Sequence, residues 1–504
     1  MYDLLIQNAR IIDGTGAPWF YGDVAVKNGK IAAVGKVTGQ AKEVVDGQGL
    51  YLTPGFIDIH SHSDGAILAC PTAESRILQG VTTDVGGNCG SSAAPGKTWP
   101  SFAAYLEAVE QARPSINAAT LVGHGTIRSA VMGYSREEAT EEQIAGMQAL
   151  TARAMEEGAF GISTGLIYPP SCYSTTDELV RVVSAVAPYG GYYATHMRNE
   201  SYDVVKSVEE ALYVAKEAGV RLQISHHKVT HKADWQVSCK TTIAMIRRAR
   251  RQGLDVCCDQ YPYRASATSM SSNVPAWAFE GGVEAMLARL RDPETRAVLR
   301  EQSNASHKGR WCDIYVAYVQ TEKNQWMVGK SITEIAEKLG GKDPADTCFD
   351  IVLEENDHVG EINFGMCEED IEYIMSQPFV MPGSDGEAMP LTAPGKPHPR
   401  NFGTFVRVLA HYCRDRALFP LETAIQKMTS LPASRIGLWD RGVLRVGMWA
   451  DLVLLDAEKL KDDPDFLTPQ QPCSGIRRVY VNGVLTTQDG KHTGARAGQV
   501  LRRK

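Results

Sequence analysis

Pro54-Gly55-Phe56-Ile57-Asp58-Ile59-His60-Ser61-His62 is the most informative stretch of this sequence. On a β-strand, successive side chains point to opposite faces, so His60 and His62 point to one side together with Phe56 and Asp58, and the two isoleucines point to the other. Two histidines at positions i and i+2 of one strand face can share a metal ion or bind two neighbouring ions. The stretch therefore predicts a strand that ends in metal ligands.

A pattern of strand, loop and helix repeats from this stretch to about residue 435. The strand candidates are Gly55–His62, Gly80–Cys89, Ala118–His124, Ala159–Leu166, Gly191–His196, Arg221–His226, Leu254–Tyr261 and Phe379–Asp385. Helical periodicity lies between them at Glu141–Glu157, Asp177–Ala187, Tyr202–Ala218 and Thr241–Gln252. Eight such units predict an α/β protein with a closed (β/α)8 TIM barrel over residues 54–435.

Both ends of the chain have a different character, with short β-like runs separated by tight turns. Asn28-Gly29 near one end and Asn482-Gly483 near the other are typical hairpin turns. Neither end is long enough for a core of its own, so we expect residues 1–53 and 436–504 to form one small β-sandwich. The interval of about 275–346 is too long for a barrel loop and carries helical patterns, which predicts an inserted lid.

Composition limits the classes of function. The chain has 504 residues, a net charge of −7 and 11 scattered cysteines. The negative charge argues against a nucleic-acid partner, and no apolar stretch has the length of a membrane helix, so we expect no membrane association. An odd number of cysteines and the absence of a recognisable signal peptide favour a cytoplasmic protein. Assembly into a homo-oligomer is left open by the sequence.

In a TIM barrel the reactive groups lie at the carboxyl ends of the strands. Six residues that can bind a metal stand at these ends: His60, His62, Cys89, His196, His226 and Asp385. Each has an ordinary alternative as a buried cysteine, a core histidine or a turn aspartate. Together, imidazole, thiolate and carboxylate groups form a ligand set that suits Zn²⁺. The sequence therefore predicts a zinc centre.

Five segments resemble the metal-site signatures of the amidohydrolase superfamily, and they are most similar to its N-acyl-D-amino-acid deacylase (D-aminoacylase) branch. They are Pro54–His62, Gly80–Thr83 followed by Asn88-Cys89-Gly90, Thr195–Arg198, Ser225–Lys228 and Gly383–Gly386. The resemblance extends from residue 2 to about residue 456. It departs from the wider superfamily at the fourth strand, Phe160–Leu166, which lacks the metal-bridging lysine of dihydroorotases and hydantoinases.

The resemblance implies that Cys89 replaces this lysine. It implies one tightly bound Zn²⁺ on Cys89, His196 and His226. A weaker second site would use His60, His62 and Asp385, and whether that site is filled stays open.

The resemblance also implies an activity, the hydrolysis of N-acyl-D-amino acids to a carboxylate and a free D-amino acid. A hydroxide generated on zinc would attack the amide carbonyl, with Asp385 as general base and then general acid. Lys228, Tyr261 and Arg400 match the residues that bind the substrate carboxylate in this family. Tyr263 remains an alternative to Tyr261, because one residue of strand register decides which of them faces the pocket.

Other functions remain open on the sequence alone. The same centre would suit a dipeptidase for L-Xaa-D-Xaa bonds, or an enzyme that opens a cyclic amide. A non-catalytic binding relative is disfavoured, because all six candidate ligands are present. The partner expected is a small molecule, either an N-acyl amino acid or a dipeptide.

Overall fold

The computed structural model describes residues 1–503. In chain order its strands are β1 (Tyr2–Ile11), β2 (Phe20–Lys27), β3 (Lys30–Gly35), β4 (Ala41–Asp46), β5 (Tyr51–Pro54), β6 (Phe56–Asp58), β7 (Val81–Gly86), β8 (Asn117–Thr120), β9 (Val122–Gly123), β10 (Gly161–Gly165), β11 (Tyr192–His196), β12 (Arg221–Ile224), β13 (Val256–Gln260), β14 (Ser266–Ser269), β15 (Ile314–Val319), β16 (Val359–Asn363), β17 (Val380–Pro382), β18 (Leu452–Leu455), β19 (Ile476–Val481), β20 (Val484–Gln488) and β21 (Lys491–His492).

The helices lie mainly between the central strands. They are α1 (Ser63–Ala69), α2 (Glu74–Ile77), α3 (Phe102–Ala112), α4 (His124–Met132), α5 (Glu141–Glu156), α6 (Thr176–Ser184), α7 (Val204–Ala218), α8 (Ser238–Arg251), α9 (Val283–Arg291), α10 (Pro293–His307), α11 (Ile332–Lys338), α12 (Pro344–Glu354), α13 (Glu368–Met375), α14 (Arg400–Arg407), α15 (Leu421–Met428) and α16 (Ser430–Ile436). A π-helical segment, Val408–Asp415, continues α14. Within residues 1–503, no helix has both the length and the apolar character needed to cross a membrane.

The central strands form a parallel barrel. One run pairs β6, β7 and β8, and a second pairs β9, β10, β11, β12, β13 and β17 in that order. β9 follows β8 directly along the chain, and a parallel bridge between Ser61 and Gly386 joins the ends of β6 and β17. The ring therefore has eight strand positions, with β8 and β9 together filling one of them. α-Helices connect the strands. This confirms the predicted TIM barrel and brings the carboxyl ends of all its strands to one side.

The two ends of the chain meet in one sheet. Its nine strands run in the order β21-β20-β19-β18-β5-β1-β2-β3, with β4 beside β1. The N-terminal and C-terminal parts join where Leu452 of β18 pairs with Pro54 of β5. The sheet encloses a core that includes Leu4, Ile11 and Tyr480. This confirms the β-sandwich built from both termini. Its last N-terminal strand leads directly into the first barrel strand.

A separate unit is inserted between β13 and α13. It contains the three-stranded sheet β14-β16-β15 and helices α9–α12. Trp311, Ile335 and Phe349 belong to its own hydrophobic core, so the unit packs around itself. The interval predicted as a lid, about 275–346, lies within it. Its first strand contacts the barrel, because Arg400 Nη2 donates a hydrogen bond to the carbonyl oxygen of Ala267 at 3.1 Å.

Candidate metal centre

Three of the six predicted ligands have a left-handed backbone two or three residues after the end of a barrel strand. Their φ angles are +51° at Cys89, +33° at His226 and +53° at Asp385. Such values are uncommon for residues other than glycine and cost free energy, so they persist only where the surrounding structure enforces them. Residues in strained conformations concentrate at functional sites. The turns aim these side chains into the mouth of the barrel.

The turn that carries Cys89 is fixed by the fourth barrel strand. Ser163 Oγ donates to the carbonyl oxygen of Gly87 at 2.6 Å and accepts from the amide of Gly90 at 3.0 Å. A Cβ atom at Gly165 would lie 2.0 Å from the carbonyl oxygen of Cys89. The strand therefore ends in a glycine because the Cys89 turn lies against it. This packing gives a physical reason for a small residue, and not a lysine, at this strand end.

One group of possible ligands lies between the first and last barrel strands. It consists of His60, His62, Cys89 and Asp385, whose ligand atoms all lie within 4.8 Å of one another. Asp385 Oδ1 is 2.9 Å from His62 Nε2 and 3.2 Å from His60 Nε2. The Cys89 sulfur is 3.4 Å from His60 Nε2. This group has the composition predicted for the second metal, with the addition of the thiolate.

A second group shares the same sulfur atom. Cys89, His196 and His226 also have ligand atoms within 4.8 Å of one another, and Cys89 Sγ is 3.3 Å from His226 Nε2. Three protein ligands leave one position of a tetrahedral zinc free, which is the pattern of a catalytic zinc. Cys89 belongs to both groups, so its thiolate would be a ligand common to both sites if each held an ion.

His196 provides a test of whether these residues fit a metal. Its side chain is buried, and neither ring nitrogen has a hydrogen-bond partner among residues 1–503. The nearest carboxylate, on Glu200, lies 3.2 Å from Nε2 but is not aligned for a hydrogen bond. Burying an unpaired imidazole is costly, and a metal bond would remove that cost. The residues therefore fit a zinc ion.

The charges in the site also favour metal binding. Burial would raise the pKa of the Cys89 thiol, but His226 and His60 outweigh burial and hold this pKa well below its usual value. Burial likewise opposes ionisation of Asp385, yet Arg400 and the histidines hold the pKa of its carboxyl group well below normal. Thiolate and carboxylate are the forms that bind metals and accept protons.

Two carboxylates that were not predicted from the sequence contact His60 and His226. Asp259, on β13, accepts from His60 Nδ1 at 2.8 Å and from the His226 backbone amide at 2.7 Å. Glu200 Oε1 lies 3.0 Å from His226 Nδ1, and Glu200 also pairs with Lys228 at 2.7 Å. Carboxylates in this position orient the imidazole ring and fix which nitrogen faces the metal.

The three predicted substrate-binding residues lie together on one side of this centre. The ring of Tyr261 packs against both cations, with Arg400 Cζ at 5.1 Å and Lys228 Nζ at 5.7 Å from its centroid. Arg400 Nη1 also donates to Asp385 Oδ2 at 2.7 Å. Tyr263 points elsewhere and donates to the carbonyl oxygen of Pro399 at 3.4 Å. Of the two tyrosines, Tyr261 is therefore the one that borders the site.

The centre opens into a cavity of about 2260 Å³ between the barrel mouth and the inserted unit. His62, Cys89, Asp385 and Arg400 line its barrel side, and Thr268 and Glu361 belong to its inserted side. A pocket that combines perturbed ionisable groups with possible metal ligands is a strong candidate for an active site.

A sequence-family model described as the amidohydrolase family matches residues 43–487. The chain belongs to this family. Within the amidohydrolases, it is 37% identical over 520 residues to a D-aminoacylase of Alcaligenes xylosoxydans xylosoxydans, covering 100% of this chain and 98% of that protein. It is 36% identical to an N-acyl-D-aspartate deacylase of the same organism, covering 99% and 95% of the two chains.

Solved amidohydrolase structures show the same similarity. A D-aminoacylase structure described as having a binuclear metal centre, with one-metal activation and second-metal attenuation, is 37% identical over the whole of both chains, with a TM-score of 0.86. An N-acyl-D-glutamate deacylase of Bordetella bronchiseptica, complexed with zinc and a phosphonate inhibitor, is 33% identical over 99% of both chains, with a TM-score of 0.85. The chain is a metal-dependent amidohydrolase of the N-acyl-D-amino-acid deacylase family.

Proposed function

We propose that this amidohydrolase cleaves the amide bond of N-acyl-D-amino acids and releases a carboxylate and a free D-amino acid. The observation that carries the proposal is the position of Cys89, whose sulfur belongs to both groups of possible ligands, beside an ionised Asp385. Cys89, His196 and His226 would hold one zinc tightly. His60, His62 and Asp385 would form the weaker site. The zinc supplies a water of lowered pKa and polarises the amide carbonyl.

Asp385 is proposed to move the proton. Its carboxylate borders the cavity and is held by His62, His60 and Arg400, so it is oriented and ionised before substrate binds. In the ionised form it accepts a proton from the attacking water. The protonated carboxyl group can then deliver that proton to the nitrogen of the departing amine.

Lys228, Tyr261 and Arg400 are proposed to bind the free carboxylate of the substrate. The two cations flank one aromatic ring beside Asp385, so a carboxylate held there would leave the neighbouring amide bond facing the metal ligands. The planar guanidinium of Arg400 offers two parallel hydrogen bonds to a carboxylate, which a lysine ammonium does not.

A panel of paired substrates tests the proposal. Zinc-loaded enzyme is incubated with the D and L forms of N-acetyl-norleucine, N-acetyl-glutamate and N-acetyl-arginine, and with L-Xaa-D-Xaa dipeptides, and free amine is measured. We expect release from the D forms only. Equal release from L forms would contradict the proposal. If only L-Xaa-D-Xaa dipeptides are cleaved, the enzyme is a dipeptidase that uses the same centre.

The carboxylate site makes a separate prediction. Arg400→Lys keeps a positive charge near Asp385 but removes the two-pronged hydrogen bond. We expect kcat/KM for N-acetyl-D-norleucine to fall about 10- to 100-fold more than kcat/KM for the corresponding C-terminal amide, which has no carboxylate. Arg407→Lys, on the same helix, is the matched control, because Arg407 bonds to Pro262 and Asp462. Equal losses on the two substrates would argue against carboxylate binding by Arg400.

A further inference from the structure

The inserted unit contributes one buried acid to the cavity. Glu361 lies on β16, is 2% exposed and lines the cavity. Its carboxylate accepts hydrogen bonds from the side chains of Asn273 and Ser272. No cation among residues 1–503 contributes to its ionisation, and burial raises its pKa to about 8 although both hydrogen bonds act to lower it. A buried carboxyl group without a cation keeps its proton at neutral pH, and it ionises where a positive group reaches it.

The other buried acids that line the cavity differ from Glu361 in this respect. Glu200 is paired with Lys228, and Asp385 is paired with Arg400. Glu361 is thus a buried cavity acid without a positive partner among residues 1–503. A cationic ligand would supply that partner.

A chain of contacts connects Glu361 with the metal centre. Thr268 on β14 stands directly opposite Glu361 on β16, so their side chains share one face of the inserted sheet. Thr268 Oγ1 lies 3.1 Å from Tyr168 Oη, and the ring of Tyr168 lies 5.2 Å from the ring of His196. Only the side chains of Thr268 and Tyr168 therefore separate Glu361 from His196, a predicted zinc ligand.

β14 also connects the proposed carboxylate site at Arg400 with Glu361. Arg400 hydrogen-bonds to the carbonyl oxygen of Ala267, the residue before Thr268. In an amino acid, the carboxylate and the side chain share one Cα atom. With the carboxylate at Arg400, a long side chain that follows β14 from Ala267 to Thr268 would end beside Glu361.

From this geometry we infer that Glu361 selects D-amino acids with a long cationic side chain, of the arginine or lysine type. The inference rests on the proposed function and specifies its substrate class. A guanidinium or ammonium group at the end of the side chain supplies the missing charge partner and keeps Glu361 ionised. The cations Lys97, Lys232 and Lys308 also line the cavity, but they are exposed to solvent, which screens their charge.

The test compares N-acetyl-D-arginine with N-acetyl-D-citrulline, which has nearly the same shape and no charge. At pH 8, we expect kcat/KM of the zinc-loaded enzyme to be at least about tenfold higher for the arginine substrate. Glu361→Gln, which has the same size and can still accept hydrogen bonds, should bring this ratio close to one by lowering the arginine value. Glu337→Gln is the matched control: it removes an exposed charge from the same inserted unit and should leave the ratio as in the unaltered enzyme.

Three results would overturn the inference without affecting the proposed function. The first is an unaltered enzyme that hydrolyses N-acetyl-D-citrulline as well as the arginine substrate, a comparison that does not depend on whether any variant folds. The second is a Glu361→Gln enzyme that keeps the full preference for arginine. The third is a clear preference for N-acetyl-D-glutamate, which would assign selectivity to the exposed lysines. Failure to hydrolyse any N-acyl-D-amino acid would reject the proposed function as well.

Discussion

Asp385→Asn is expected to lower kcat by about 10²- to 10⁴-fold, the usual contribution of a general acid–base residue. The amide has the size of the carboxylate and can still contact His62 and Arg400, but it cannot accept and return a proton. The tight zinc site should survive, because its proposed ligands are Cys89, His196 and His226. The measurement combines steady-state kinetics on N-acetyl-D-norleucine with the zinc content of the same preparation.

Glu387→Gln is the matched control for this variant. Glu387 lies two residues beyond Asp385, lines the same cavity and is exposed. Its neutralisation should change kcat by less than about threefold, because an exposed carboxylate is screened by solvent. An Asp385→Asn enzyme that retains zinc and near-normal kcat would remove Asp385 from the proton-transfer role.

Cys89→Ser should affect the enzyme differently, through loss of metal. A serine hydroxyl stays protonated where the cysteine is a thiolate, so each group of ligands loses its shared negative charge. Structural zinc sites bind with an apparent free energy of about 10–16 kcal/mol, and loss of one ligand of such a set should weaken binding at least about 100-fold. Turnover should fall in parallel, and excess zinc should restore part of it.

Cys172→Ser separates this effect from a general sensitivity to losing a thiol. Cys172 is half-buried on the loop after β10 and belongs to neither group of possible ligands, and burial raises the pKa of its thiol to about 11. This control should bind zinc and turn over like the unaltered enzyme. Equal zinc content in the Cys89→Ser and Cys172→Ser proteins would show that Cys89 is not a ligand.

The barrel could be predicted because each of its strands and helices is encoded by a short, continuous stretch of sequence. Each strand is a short run followed by a helix, and the candidate ligands stand directly after the strands. Parallel strands in a closed barrel necessarily bring those positions to one edge. For this reason the amino-acid sequence alone is enough to place His60, Cys89 and Asp385 together, although they are far apart along the chain.

The supporting carboxylates could not be predicted in the same way. Asp259 lies inside a buried strand, and the only signal was a charged residue directly after the apolar run Val256–Cys258. Glu200 lies in a loop four residues beyond His196, and only the folded chain brings it to Lys228 and His226. The position of Glu361 beside the cavity could not be predicted either. Glu361 belongs to the inserted unit, whose packing against the barrel leaves no pattern in the sequence.

Titration of the metal-free enzyme with zinc shows whether turnover depends on a zinc ion bound to Cys89. Bound zinc and the rate of N-acetyl-D-norleucine hydrolysis are measured at each addition. We expect no turnover without metal, and activity that rises in proportion to the first zinc bound per chain. We also expect this tight binding to be lost in Cys89→Ser. Full turnover by the metal-free protein, or a protein that binds no zinc tightly, would contradict a catalytic centre built on Cys89.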